Sequence, residues 1–378
     1  MNTSWCVRAA VCACLVLASS GAWAEDGVTK SAILLGQSGE FSGQGVAKEN
    51  IDGARAYFEA INKRGGVFGR RIELKAYDDG RDIKRVVENT ERLIVQDKAF
   101  ALFGYRSTPS VEAAMPVLTR ERVPLIAPFS GAQSIRSPLN PLVFHLRASY
   151  RQEADKLIRH LVTQGIRKVA LLYQDDAFGK DALAGYEAAL KKANVASLAT
   201  AKYDRKDLNV AAAVKTIAAA APDAAVMACT PKACIDFIKQ VRASGLRTQF
   251  LTLSNVNSDE FARSLGDDGR GVVVAQVIPY PWSTGVPLAR EFQQSVKDSG
   301  MEVPISYSSF EGFVAAKLVV TALRLSGPEP TRDKFLAALE TMRDVDLGGM
   351  SVRFSATDHQ GSDFVDLTLI SRGGKYIR

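Results

Sequence analysis

Short apolar runs and amphipathic segments take turns along this chain with almost no interruption, and that alternation narrows the possible folds more than any other feature. Residues 33–35, 72–76, 100–103, 125–127, 169–173, 224–228, 250–253 and 272–277 have the length and composition of buried strands. Between them, residues 51–62, 83–95, 111–120, 153–163, 180–192, 210–219 and 233–244 carry helical periodicity, often with Gly just past the end. Such alternation predicts an α/β fold of doubly wound parallel sheets with helices on both faces. A chain of 378 residues exceeds what one core comfortably holds, so two lobes are expected.

The start of the chain is different. It holds one Arg, an apolar stretch over 9–18, and Ala22-Trp23-Ala24 before Glu25, the pattern of a secretory signal peptide (1–24) cleaved after Ala24. The apolar stretch is shorter than a membrane span, and no later segment reaches the roughly 18 apolar residues a span needs. A soluble exported protein is expected. Cys6, Cys12 and Cys14 leave with the signal, and neither Cys12 nor Cys14 follows the long apolar core of a lipid-anchored start. Cys229 and Cys234 remain. In an oxidising compartment an isolated pair is expected to form a disulfide. Two buried thiols are the alternative, because separation along the chain does not set disulfide geometry. The net charge of +7 is dispersed without a basic arm, which argues against a nucleic-acid partner.

In sheets of this kind ligands sit outside the carboxyl ends of the strands, so the residues after each apolar run are the ones to read. They are Gly36-Gln37-Ser38-Gly39, Tyr77-Asp78-Asp79-Gly80, Tyr105-Arg106-Ser107-Thr108, Pro128-Phe129-Ser130-Gly131, Gln174-Asp175-Asp176-Ala177-Phe178, Cys229-Thr230-Pro231-Lys232 and Ser254-Asn255. Small hydroxyls, glycines and aromatics recur. Thr108 before Pro109 begins a helix, and the same helix start offers unpaired N–H groups to an anion. The two readings are compatible.

Catalysis finds no support. His145, His160 and His359 lack metal-ligand spacing. Gly36-Gln37-Ser38-Gly39-Glu40 misses the final Gly of a nucleophile elbow, and Gly43-Gln44-Gly45 lacks the third glycine of a dinucleotide fingerprint. Asp78-Asp79 and Asp175-Asp176 are adjacent pairs whose side chains diverge on an extended chain. No catalytic residue, metal or cofactor is expected, and a hydrolase is the enzymatic alternative to test.

The segment FSGQGVAKENIDGARAYFEAINKRGGVFGRRIELKAYDDGRD carries an ordered series: Phe41-Ser42-Gly43, Gly53-Ala54, Ile61-Asn62, Gly65-Gly66-Val67, Gly69 and Tyr77-Asp78-Asp79. With the 104–128 stretch, Phe178-Gly179, Gly245-Leu246, Gln249-Phe250, and Gly266-Asp267 with Gly271, it resembles the type I periplasmic solute-binding proteins of ABC importers. The likeness is to the leucine/isoleucine/valine-binding branch and covers nearly all of the mature chain. It implies two doubly wound lobes joined by a three-crossover hinge that closes on a ligand. The crossings would fall at 147–150, 277–279 and 349–353, giving lobe 1 as 25–148 plus 278–349 and lobe 2 as 149–277 plus 350–378. The resemblance further implies a periplasmic monomer whose partners are a small ligand and the membrane permease subunits of an ABC importer.

In those relatives, hydroxyls and backbone N–H groups after the third and fourth strands hold a ligand carboxylate. Carried over, Thr108 with Tyr105 and Ser107 forms the first loop, and Phe129, Ser130 and Gly131 the second. Tyr150, Thr230 and Phe178, which stands in place of a Tyr, complete the expected ligand set. Ser254 falls where branched-chain relatives place the acid that pairs with an ammonium. Lys48, Glu40 and Asp176 are the candidate charged partners, the last two as replacement acids. The function implied is capture of a small carboxylate-bearing solute, an amino acid or an aromatic or aliphatic acid, for an ABC importer. The alternative is a ligand-sensing receptor on the same fold that signals to a protein partner.

Overall fold

Apolar runs buried on both faces become parallel strands, and the computed structural model, which describes residues 25–42 and 45–378, follows that rule. The expected signal segment 1–24, with Cys6, Cys12 and Cys14, lies outside the described residues, as do Gly43 and Gln44.

The first lobe is built from β1 (Ala32–Gly39), α1 (Val46–Lys63), β2 (Arg71–Asp78), α2 (Ile83–Glu91), β3 (Ala101–Phe103), α3 (Thr108–Arg120), β4 (Leu125–Ile126) and β5 (Val143–Phe144). Its five strands are all parallel, in the order β2-β1-β3-β4-β5. The second lobe follows with α4 (Tyr150–Thr163), β6 (Val169–Gln174), α5 (Ala177–Lys192), β7 (Ser197–Tyr203), α6 (Ala211–Ala220), β8 (Ala224–Ala228), α7 (Pro231–Ala243), β9 (Gln249–Thr252), α8 (Asp259–Leu265) and β10 (Val273–Gln276). The chain returns to the first lobe as α9 (Pro287–Ser299), α10 (Tyr307–Leu325), α11 (Arg332–Glu340) and the short hairpin β11 (Val345–Asp346) and β12 (Ser351–Val352). It ends as β13 (Asp366–Ile370) and β14 (Tyr376–Ile377).

The second sheet runs β14-β13-β10-β9-β8-β6-β7. Five of its strands, β7-β6-β8-β9-β10, repeat the parallel order of the first lobe, and β13 and β14 add an antiparallel edge. Both sheets therefore reverse direction between their first and third strands, which is where such sheets bind ligands. The first lobe is closed by α10 lying along α1. A Cβ on Gly53 would sit 1.8 Å from the Ser309 carbonyl oxygen, and one on Gly312 would sit 1.8 Å from that of Asn50. Glycine at both positions lets the two helix backbones touch.

Some elements escape the alternation pattern. β7 is a half-exposed edge strand, and α10 is buried around most of its circumference, so neither shows a clean apolar period. The third passage between lobes also differs from the expected 349–353. The Phe354 and His359 rings pack on Phe144 with centroids 5.2 and 3.8 Å away, and His145 donates its N–H to the His359 carbonyl and accepts the Gly361 N–H. The chain thus stays against the first lobe through Gly361 and joins the second sheet only at β13.

Candidate functional site

The carboxyl ends of the two sheets face a shared cleft of about 460 Å³. In the first lobe the ends of β1 and β3 are tied where Gln37 Nε2 donates to the Gly104 carbonyl (2.9 Å). Beyond β3 the chain turns sharply. Ser107 takes φ 73° as the N-cap of α3, an unfavourable value for a residue with a Cβ, and its Oγ accepts from the Ser110 N–H and donates to Ser110 Oγ. Ser107 and Ser110 line the cleft beside the α3 N-terminus, where Pro109 has no N–H and Ser107 takes the N–H groups of Ser110 and Val111, leaving the partial positive charge of the helix start.

The neighbouring residues go elsewhere. Thr108 is fully buried, its Oγ1 2.8 Å from Ser130 Oγ, so the two hydroxyls expected to meet a carboxylate meet each other beneath the cleft wall. Tyr105 is also buried, its hydroxyl against Thr90 Oγ1 (3.1 Å) in the first-lobe core. Neither Thr108, Ser130 nor Tyr105 lines the cleft. Gly131 is small because Tyr150 lies on it: a Cβ there would be 2.7 Å from both Tyr150 N and Cδ1. Tyr150 and Phe178 meet edge to face at 5.2 Å, and with Phe129 they form an aromatic wall of the cleft.

The first lobe's cleft cation without an ion-pair partner among the described residues is Arg106, in the loop that the hydroxyl pattern drew attention to. Its Nη1 donates to Asn50 Oδ1 (3.1 Å) and its Nη2 to the Asn255 carbonyl of the second lobe (2.7 Å). Among the described residues it has no carboxylate partner, and burial pulls its guanidinium below its ordinary range. A lone cation in an otherwise uncharged β-α loop was the sequence signal for it.

Beneath the cleft lies a second ionic group. Arg147 faces Glu153 of α4 (3.4 Å) and Glu311 of α10 (3.5 Å), and all three side chains are at most 2 % exposed. Arg147 also bonds Ser254 Oγ, and the Ser254 N–H donates to Glu153 Oε2 (2.7 Å). Ser254, expected among the ligand contacts, is thus consumed by this cluster and does not line the cleft. Burial disfavours the Arg147 charge, but Glu311 and Glu153 outweigh it and hold the guanidinium protonated. Nearby Arg136 is pushed down to about 9 by burial and by Arg147. Nothing in the sequence signals this grouping.

In the second lobe Asp176 caps α5, accepting from the Gly179 N–H (3.0 Å) and from Gln174 Nε2 (2.6 Å), with Arg205 at 3.7 Å. Tyr203 OH donates to Gln174 Oε1 (2.9 Å) and accepts the Thr230 N–H (3.0 Å). Cys229 and Cys234 are joined with Cα atoms 5.5 Å apart, closing the end of β8 onto the first turn of α7. Asp176, Thr230 and Glu40 line the cleft, Glu40 with Arg81 at 3.7 Å. Lys48 instead pairs with Asp52 along α1, outside the cleft. At the rim, Arg205 Nη2 donates to the Arg81 carbonyl (3.4 Å), linking the lobes. Among the described residues no cluster of His, Cys, Asp and Glu could hold a metal, and no helix is long and apolar enough to cross a membrane.

The sequence profile described as periplasmic binding protein matches residues 30–375. A substrate-binding periplasmic protein from Ralstonia solanacearum superposes with a TM-score of 0.85 and 37% identity, covering 91% of this chain and 99% of that one. The Leu/Ile/Val-binding protein of Escherichia coli K12 is 22% identical, covering 82% of this chain and 84% of its own. An amino acid binding protein of Pseudomonas aeruginosa is 25% identical over 62% of this chain and 63% of its own.

Proposed function

The chain belongs to the periplasmic binding protein family, and on that premise we propose that it captures a small carboxylate-bearing solute between its lobes and presents it to the membrane subunits of an ABC importer. It is a binding protein and not an enzyme. Export to the periplasm with cleavage after Ala24 completes the reading. The observation that carries it is Arg106: a cation held in the cleft wall with no carboxylate partner is an incomplete ion pair, and a ligand anion completes it. The Ser107 and Ser110 hydroxyls stand beside it to take the second carboxylate oxygen. Tyr150, Phe178 and Phe129 supply apolar cover, and Thr230 and Asn255 approach from the other lobe. Thr108 and Ser130 act from behind, bracing the loop.

Hinge closure is the working event, since each lobe offers only half of these contacts. Protein denatured to strip bound solute and refolded should gain about 2.7 kcal/mol from an acid at 100 times its dissociation constant. Small-angle scattering should show the radius of gyration falling at the same time. A melting shift with neutral sugars and none with carboxylic acids would sink the reading.

A further inference from the structure

Resting on the receptor reading above, we propose that the cleft selects an organic acid that carries no ammonium group beside its carboxylate. A buried ammonium needs an acid within hydrogen-bond reach, because leaving it unpaired is costly. In an α-amino acid the ammonium and the carboxylate share one carbon, so that acid must stand next to Arg106.

The carboxylates that act on Arg106 are Glu311 and Glu40. Glu311 is buried against Arg147, and so is Glu153, which also holds the Ser254 N–H. Glu40 is half-exposed and faces Arg81. The other cleft acids face other groups: Asp79 accepts from Ser38 Oγ and the Arg81 N–H, Asp176 caps α5 beside Arg205, Asp236 pairs with Lys232, and Glu260 stands over Gly45. On the second lobe, Arg106 meets Asn255, whose side-chain oxygen is buried without a partner. That acceptor is neutral. The site therefore answers a carboxylate, and among the described residues no acid is paired at Arg106, where an adjacent ammonium would need one.

Matched probes isolate the difference: 3-phenylpropionate against L-phenylalanine, and 4-methylpentanoate against L-leucine, each pair differing only by the α-ammonium. On stripped, refolded mature protein, calorimetry should show at least one acid binding about 100-fold or more tightly than its amino counterpart. Arg106→Gln should weaken that acid by about 30-fold or more, and Arg106→Lys should recover part of the loss. Lys48→Gln, outside the cleft, should leave it within about threefold, as for a surface charge. Either amino acid binding as tightly as its acid overturns the inference and leaves the receptor reading intact. Acid binding that is indifferent to Arg106→Gln in a folded variant also overturns it. Binding of none of the four probes overturns both.

Discussion

The two lobes share a strand order and face each other across one cleft, yet they hold their rims by different means. In the first lobe the loops after β1, β3 and β4 are fixed by side-chain hydrogen bonds, Gln37 to Gly104 and Thr108 to Ser130. In the second, the loop after β8 is fixed covalently by Cys229–Cys234 and by the Tyr203 relay to Thr230. Their contributions to the cleft differ as well. The first lobe presents an unneutralised guanidinium at a helix start; the second presents rings, a hydroxyl and acids already engaged. Identical topology thus leaves the loops free to divide the work.

The comparison can be broken in three places. The largest effect is expected at Arg147, which belongs to neither lobe alone because it joins Glu153 on one to Glu311 on the other. Arg147→Ala strands both carboxylates and should cost about 3–5 kcal/mol in urea unfolding. Arg147→Met combined with Glu153→Gln and Glu311→Gln should recover most of it. A cost below about 1 kcal/mol would mean that the lobes are not coupled through this residue.

A smaller effect is expected from the covalent rim. Replacing Cys229 and Cys234 with Ser opens a short loop, for which chain entropy predicts a loss of about 2 kcal/mol. The melting temperature reads it directly. No change would show that the Tyr203 relay alone suffices, and the contrast between the lobes would shrink to one of charge.

The smallest effect concerns Glu49 of α1, which accepts from Ser306 Oγ and faces Asp259 of the second lobe. Burial pushes its carboxyl up to about 7 from an ordinary 4.5. A raised carboxyl binds its proton more tightly in the folded state, so its stabilising contribution is complete below about 4.5 and is lost as pH rises through about 7. Between pH 5 and 8 the wild type should therefore fall relative to Glu49→Gln by about 2–4 °C in melting temperature. Parallel curves for the two proteins would remove Glu49 from the contacts between lobes.

Much of the fold was legible because fully buried parallel strands write themselves as unbroken apolar runs, as at 224–228. Elements without that signature, such as edge strand β7 and the wholly buried α10, were not. The site was legible as a set of loops and not as a set of side chains. Thr108 and Ser107 differ by one position, but the φ of 73° at Ser107 turns one toward the cleft wall and the other into the core. Ser254 meets Arg147 across a sequence separation of 107, a pairing that no local pattern encodes. Arg106 was visible in the sequence, but its lack of a carboxylate partner among the described residues is a property of everything around it.

The three passages of the chain also set the order in which the molecule can be finished. A ribosome delivers β1 to β5 first, but the helices that cover α1 come only after β10. The second sheet in turn waits for β13, nearly two hundred residues after β6, to gain its antiparallel edge. Each half is completed only by chain that is made after most of the other half. Completion of both halves therefore depends on contacts of long sequence separation, which form slowly.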